Sequence, residues 1–422
     1  MKNKYDVIIA GGGTAGCACA YIAGKLGLKV LLVEKNNYLG GSITSSLVFP
    51  AMKTSENAIN TDFFNDLYSN LEMINGAITY CDGNKGWFNP ELTKIILDKM
   101  LKGVGVDIKF SSYIKSIKKK NKLLLPYNVT IYENNNLFSN NGLLVYNEAK
   151  YIVDATGDAK ICELLNCEFL ENKNKNQPIN LRFNMSGVDA KVFAEWISNF
   201  DKNRDVTTVC KIGDYTYFST AYTWDTAINW ALRPLFEDAI AKHILKEEDT
   251  NYFQIFSVAG TPDSVGFNCP RIIYADLSYS DALIKGRESI LRLSVFCKKY
   301  LPGFEKAYIS NIANSLGVRV SRRVKGKYVY TKDDLINGKE FDYPVVISSY
   351  PIDIHSDKKN SSVLQKINHE YQLPLDSLIV KDDLFVIGRC LSAEYEAQAA
   401  LRIIPSCFSM GEGVAKYIAS LM

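Results

Sequence analysis

The sequence has ten cysteines but no C-x-x-C pair, and only three histidines in 422 residues. These absences exclude a thioredoxin-like dithiol, a paired-cysteine zinc or iron–sulfur site and a histidine-rich metal centre. No metal site is expected, and the cysteines read as small buried apolar groups. No apolar run approaches the roughly 20 residues of a membrane span. The basic start is followed by too short an apolar stretch, residues 7–10, to read as a secretory signal, so a cytoplasmic setting is expected. Lysine and arginine number 49 against 46 acidic residues, an excess of 3, too small to predict a nucleic-acid or anionic membrane partner. Internal repeats are also absent, and short polar runs such as 118–120 and 134–136 read as solvated loops.

What is present is an ordinary globular balance, 47% apolar and 23% charged, on a chain long enough for two or three domains. Residues 5–10 form a short β-branched run that predicts a buried parallel strand. Glycines follow, then a helical pattern over 16–26, a stop at Gly27 and a second buried strand over 29–33. This is one β-α-β unit. Asn89 and Pro90 predict a helix start, with the helix running to about residue 100. Residues 106–110 read as a strand, and 123–149 as antiparallel strands with a turn at Asn140-Asn141-Gly142. Residues 151–155 form another buried strand. From about Glu171 the chain becomes richer in aromatics, including Trp196, Trp224 and Trp230. The buried-strand pattern returns at Leu384, and a last helix is expected from Met410 onward.

The run Gly11-Gly12-Gly13-Thr14-Ala15-Gly16 fits G-x-G-x-x-G in the strand–turn–helix context that gives this motif its meaning. Gly11 allows a tight turn, Gly13 lets a pyrophosphate approach the backbone, and Gly16 lets the helix pack close to the sheet. Thr14 and Ala15 lie in the turn before the helix, whose free N–H groups favour an anion. Glu34 closes the second strand, where a carboxylate accepts hydrogen bonds from a ribose diol, and Lys35 follows it. An acidic residue there disfavours a 2′-phosphate. The motif alone does not choose between FAD and NAD.

From Gly11 to Gly413 the chain resembles the FAD-dependent oxidoreductases of the glutathione-reductase-like flavoprotein fold. The segments that carry the likeness are GGGTAGCACA, VEKNNYLGG, the WFNPE helix with GVDIKFSSYI, YIVDATGDAKICELLNCEF, NLRFNMSGVD, SLGVRVSRRVKG, YPIDIH and LFVIGRCLSAEYEAQAALRIIPSCFSMGEGVA. The resemblance implies α/β plus α+β architecture. A discontinuous Rossmann-type FAD-binding domain, 1–170 with 376–422, would hold a parallel sheet and a three-stranded antiparallel meander. A mixed substrate domain, 171–375, would be inserted into it. It further implies one non-covalent FAD. Glu34 would hold the adenosine ribose, Gly41 and Ser42 would pass near the flavin and diphosphate, and Ile114 would meet the adenine. Ala155, Thr156 and Gly157 would close over the cofactor, and Gly388 and Arg389 would lie near the ribityl chain. Gly411, Gly413 and Val414 would begin a helix aimed at the pyrimidine end of the flavin. Glu412 departs from that pattern, because a carboxylate there opposes reduced flavin unless it points away.

For chemistry, the candidates are His355 as acid–base group, Arg322 of the Arg319, Arg322, Arg323 cluster as a substrate anchor, and Glu394 and Arg402 near the flavin. Asp353 and Tyr350 would orient His355 or the substrate. The expected activity is hydride transfer between flavin N5 and a small organic substrate. A second glycine fingerprint is absent, so electrons would pass to or from the substrate, a diffusible nicotinamide, a carrier protein or oxygen. A tRNA-modifying flavoprotein, a non-catalytic electron-transfer subunit and a simple NAD dehydrogenase are the alternatives. The small charge excess counts against the first.

Overall fold

The computed structural model describes residues 3–120, 124–134, 142–171, 177–223, 230–273, 277–355 and 363–422. Asn140, Asn141 and Trp224 lie outside them.

The first sheet grows from β1 (Asn3–Ala10), α1 (Thr14–Lys25) and β2 (Val30–Val33). Val7 to Ala10 and all of β2 are buried, as the apolar runs require. Gly27, at φ +84°, ends the helix one residue past its cap. Asn89 caps α2 (Pro90–Gly103), its side chain accepting from the N–H groups of Glu91 and Leu92. That helix leads into β3 (Asp107–Lys109), and β4 (Ser112–Lys119) and β5 (Tyr127–Glu133) turn back as a meander.

The last meander strand and the buried strand expected separately at 151–155 are one twelve-residue strand, β6 (Leu143–Asp154). Its first half pairs antiparallel with β5, and most of its length also pairs parallel with β1. The burial pattern marks the transition: alternating along the meander, continuous over Tyr151–Asp154. The sheet is completed by β13 (Ile379–Lys381) and β14 (Leu384–Val386), the latter parallel to β6. The central order is β13-β14-β6-β1-β2-β3.

The register sets the site. Ala10 pairs with both Val33 and Asp154, and Asp154 pairs with Val386. Four parallel strands therefore end level, and Gly11, Glu34, Ala155 and Ile387 emerge along one edge. β1 has neighbours of different chain order on its two sides, the switch point at which such sheets open a crevice.

A second, antiparallel sheet comprises β7 (Phe183–Ser186), β8 (Thr207–Ile212), β9 (Tyr215–Thr223), β10 (Tyr252–Val258), β11 (Thr261–Phe267) and β12 (Tyr308–Ile312), in the order β8-β9-β10-β11-β7-β12. With α3 (Tyr279–Tyr300) it encloses its own aromatic core, including Phe183, Phe193, Phe253, Phe267 and Phe296. Side chains between 330 and 375, such as Tyr330, Val345 and Tyr371, pack instead with the first core.

The C-terminal helices are α4 (Tyr395–Leu401) and α5 (Ile404–Ser420). The expectation of a helix starting at Met410 is corrected: α5 begins six residues earlier. Pro405, in its first turn, suits a helix start, where no intrahelical N–H is needed. Gly411, Gly413 and Val414 therefore lie in mid-helix and are buried. A Cβ on Gly411 would stand 2.2 Å from the Ala15 carbonyl oxygen and 2.9 Å from the Cys19 nitrogen, so this glycine lets α5 lie directly on α1. Glu412 points away from the sheet edge. It accepts from the Phe63 N–H at 3.0 Å and pairs with Lys416 at 2.7 Å, capping the Asp62–Glu72 helix. Among the described residues no helix is long and apolar enough to cross a membrane.

Candidate active site

One cavity of about 1340 Å³ runs along the level strand ends and on to the second sheet. It exceeds the roughly 300–1,000 Å³ of a typical small-molecule site.

Its first wall is the glycine turn. Gly11 has φ +101°, and a Cβ there would meet the Ala155 carbonyl oxygen at 2.5 Å. On Gly16 a Cβ would stand 1.9 Å from the Gly11 carbonyl oxygen. Only glycine fits either place. Gly13 differs: the nearest atom to its Cβ position is Gly41 Cα at 3.8 Å, and the residue lines the cavity. Its missing side chain leaves room for a ligand rather than for protein. No side chain caps α1, so the amides of its first turn, at Thr14 and Ala15, meet the cavity without a side-chain acceptor. A polyanion fits this cradle.

Glu34 is oriented by the N–H groups of Gly12 at 2.7 Å and Asn36 at 2.8 Å. Burial raises its carboxyl pKa, and those two hydrogen bonds pull against the rise. Lys35 is exposed at the rim, and Ile114 is buried in the same wall. Gly41 and Ser42 follow, with a Cβ on Gly41 only 2.6 Å from Gly13 Cα.

Asp154, which sequence reasoning passed over, builds the next wall. It is fully buried and accepts from Thr156 N–H and Oγ1 and from the N–H groups of Ile161 and Cys162. These bonds fix the turn that carries Ala155, Thr156 and Gly157. Arg389 donates to the carbonyls of Gly157 and Val318 and pairs with Asp158 at 2.6 Å, tying the two chain crossings together beside Gly388.

The far wall is polar and cationic. Arg271 pairs in register with Asn180 on a short ribbon, and its guanidinium lies 4.3 Å from the Tyr252 ring centroid. His355 Nδ1 stands 2.8 Å from Arg271 Nη2, and His355 Nε2 stands 3.3 Å from Asp353 Oδ2. The arginine can only donate, so Nδ1 accepts and Nε2 carries the proton toward Asp353. Burial first, then the Arg319 charge, push His355 down to about 3. Burial pushes Asp353 up, but the His355 hydrogen bond and the charges of Arg402 and Arg319 leave it below the usual carboxylate range. The pair is thus a neutral imidazole beside an ionised carboxylate. Arg402 Nη2 donates to the Asp353 carbonyl at 3.0 Å.

Of the residues singled out for chemistry, His355 and Arg402 line the cavity and Arg322 and Glu394 do not. Arg322 is 43% exposed and pairs with Glu163 at 2.5 Å on the surface. Glu394 is exposed, and its carboxylate accepts from the Lys332 N–H. Arg319 turns inward where Arg322 turns out, and Arg323 is buried against the carbonyls of Ala393 and Glu171. Gly411, Gly413 and Val414 also lie off the cavity. The α5 residues that reach it are Ile404 and Cys407, with Ile403 just before them. Arg182, Tyr252, Asn268 and Arg271 line it as well, and no spacing marked them, because they come from separate segments in and beside the second sheet.

The chain matches the family model for FAD dependent oxidoreductase over residues 6–421. It belongs to that family. This FAD-dependent oxidoreductase is therefore an enzyme whose cofactor is FAD. Over 78 residues it is 39% identical to dihydrolipoyl dehydrogenase of Trypanosoma brucei brucei, covering 18% of this chain and 16% of that protein. Over 44 residues it is 41% identical to mitochondrial glycerol-3-phosphate dehydrogenase of Rattus norvegicus, covering 10% and 6%. The chain thus spans at most 16% of the length of these curated relatives. Among solved structures it is similar to p-nitrophenol 4-monooxygenase of Pseudomonas putida DLL-E4, with 11% identity over 100% of this chain and 80% of that one at TM-score 0.47.

Proposed function

We propose that this oxidoreductase transfers a hydride between N5 of its FAD and a small organic substrate held against the cationic wall. One observation carries the reading: a single cavity joins an anion-accepting glycine turn to a polar wall built by the second sheet. Residues 1–170 with 376–422 would act as the nucleotide-binding unit and 171–375 as the substrate-side unit, with 330–375 packed at the seam.

Gly11, Gly13, Thr14 and Ala15 would hold the diphosphate, Glu34 and Lys35 the adenosine ribose, and Ile114 the adenine, with Gly16 keeping the helix close against the turn. Gly41, Ser42, Ala155, Thr156, Gly157, Gly388 and Arg389 would flank the rest of the cofactor. The α5 N-terminus, at Ile404, takes the role the sequence assigned to Gly411–Val414, offering backbone N–H groups near the flavin. FAD supplies the two-electron acceptor or donor when bound. The protein supplies position and fixed charge. Neutral His355, bonded at both ring nitrogens, orients Arg271 and Asp353 and is not a titrating base near neutrality. Burial pushes the Cys407 thiol up to about 12, which keeps it protonated and supports a non-covalent cofactor.

The test is the visible spectrum of the purified protein with chromatography of the acid-released chromophore, then anaerobic addition of candidate reductants. Released FAD and bleaching by a small metabolite support the proposal. A colourless protein that takes up no added FAD overturns it. FAD that no small metabolite or nicotinamide reduces, and that does not reoxidise with a small acceptor, overturns the hydride step.

A further inference from the structure

Three guanidiniums line the far wall around one carboxylate, Arg402 pairing with Asp353 at 3.8 Å and Arg271 reaching it through His355. Arg271, Arg319 and Arg402 all line the cavity, and Asp353 is the carboxylate beside them. Each arginine is held by one terminal nitrogen: Arg271 Nη2 at His355, Arg319 Nη1 at the Pro178 carbonyl at 2.6 Å, and Arg402 Nη2 at the Asp353 carbonyl. Among the described residues, the other terminal nitrogen of each, Arg271 Nη1, Arg319 Nη2 and Arg402 Nη1, has no hydrogen-bond partner. The Nε atoms of Arg271 and Arg402 are buried without a partner.

Buried cations are ordinarily paired, because an uncompensated charge away from water is costly. Here they are not. Other carboxylates that line the cavity are spoken for: Asp158 pairs with Arg389, Glu163 with Arg322, and Glu34 takes the amides of Gly12 and Asn36. Arg182 is tied to the carbonyls of Leu47 and Phe49. Burial, then the charges of Arg271 and Arg402, push Arg319 well below the ordinary arginine range, and the Asp353 charge offsets that only in part. The Gln398 amide donates to the backbone carbonyls of Arg319 and Arg389, which fixes the position of the central arginine.

We infer that Arg271, Arg319 and Arg402 form an oxyanion-binding subsite, so the substrate of this enzyme carries a carboxylate or phosphate group that docks on their free terminal nitrogens. The inference rests on the proposal that FAD and substrate share this cavity. Planar forks suit a carboxylate particularly well.

The FAD-loaded protein would be titrated with benzoate, succinate and inorganic phosphate, and with benzamide and succinamide as neutral matches, following the flavin absorption bands. A saturable shift is expected with at least one oxyanion, with its matched amide weaker by about tenfold or more. Arg319→Gln and Arg402→Gln should each weaken that oxyanion about tenfold at unchanged FAD content, and Arg319→Lys should recover part of the loss. A carboxylate response without a phosphate response assigns the substrate group, and the reverse assigns a phosphate ester. Amides that bind as tightly as acids, an oxyanion affinity unmoved by both glutamine variants, or no oxyanion response with FAD in place would each overturn the subsite. A sample without FAD overturns the flavin reading instead. Calorimetric titration of that sample with the same compounds still reads the arginines.

Discussion

The His355 environment makes a quantitative prediction about acid stability. In the unfolded chain an imidazole takes up a proton near pH 6.5, whereas in the folded chain His355 is held down to about 3. Between those values the unfolded state binds more protons, so acid favours unfolding. The stabilising contribution is complete above about 6.5 and is lost progressively as the pH falls toward 3. At about pH 5 the loss is roughly 2 kcal/mol relative to neutrality, from about 1.4 kcal/mol per pH unit below the unfolded value. Asp353, whose carboxyl lies below its usual range, adds its own loss only at more acid pH. The assay is urea unfolding of wild type and His355→Gln at about pH 5 and at neutrality. The amide keeps one acceptor for Arg271 and one donor for Asp353 but takes no proton. Carboxyls common to both proteins cancel in the difference. Wild type should lose roughly 2 kcal/mol more than the variant on acidification. Equal losses, or a His355 ring resonance that titrates near its ordinary value, would refute the assignment of a neutral, doubly bonded imidazole.

Three further outcomes follow from the geometry. Gly13→Glu should abolish FAD retention while leaving unfolding by urea little changed, because its Cβ position is clear of protein; full flavin occupancy would defeat the cradle. Gly411→Leu should do the reverse, destabilising by about 1–3 kcal/mol or more through forced separation of α5 from α1, as read by chemical denaturation; wild-type stability would contradict the close helix contact. Arg322→Gln and Glu394→Gln should leave turnover and FAD content unchanged in steady-state assays, since both side chains lie outside the cavity; a large loss of turnover would restore them to the site.

The sequence by itself determined the glycine-turn end of the cavity. The glycine turn, the carboxylate closing β2, the Asn89 cap and the return of a buried strand at Leu384 are local signals, each readable within about ten residues of chain, because turn sterics and strand burial are local physics. The start of the last helix was less legible. Pro405 marks an early start, but Gly411 and Gly413 read as helix openers when their role is packing against α1 and Val345. The cationic far wall of the cavity was decided only by tertiary structure. Arg271 comes from a two-residue ribbon, Arg319 from an irregular crossing, Asp353 and His355 from a separate strand, and Arg402 from the cap of α4. Sequence spacing could not say that Arg319 faces inward and Arg322 outward, because no regular period governs that segment. Charges far apart in the chain meet only when the two sheets close on one cavity, and the folded arrangement alone decides which remain unpaired.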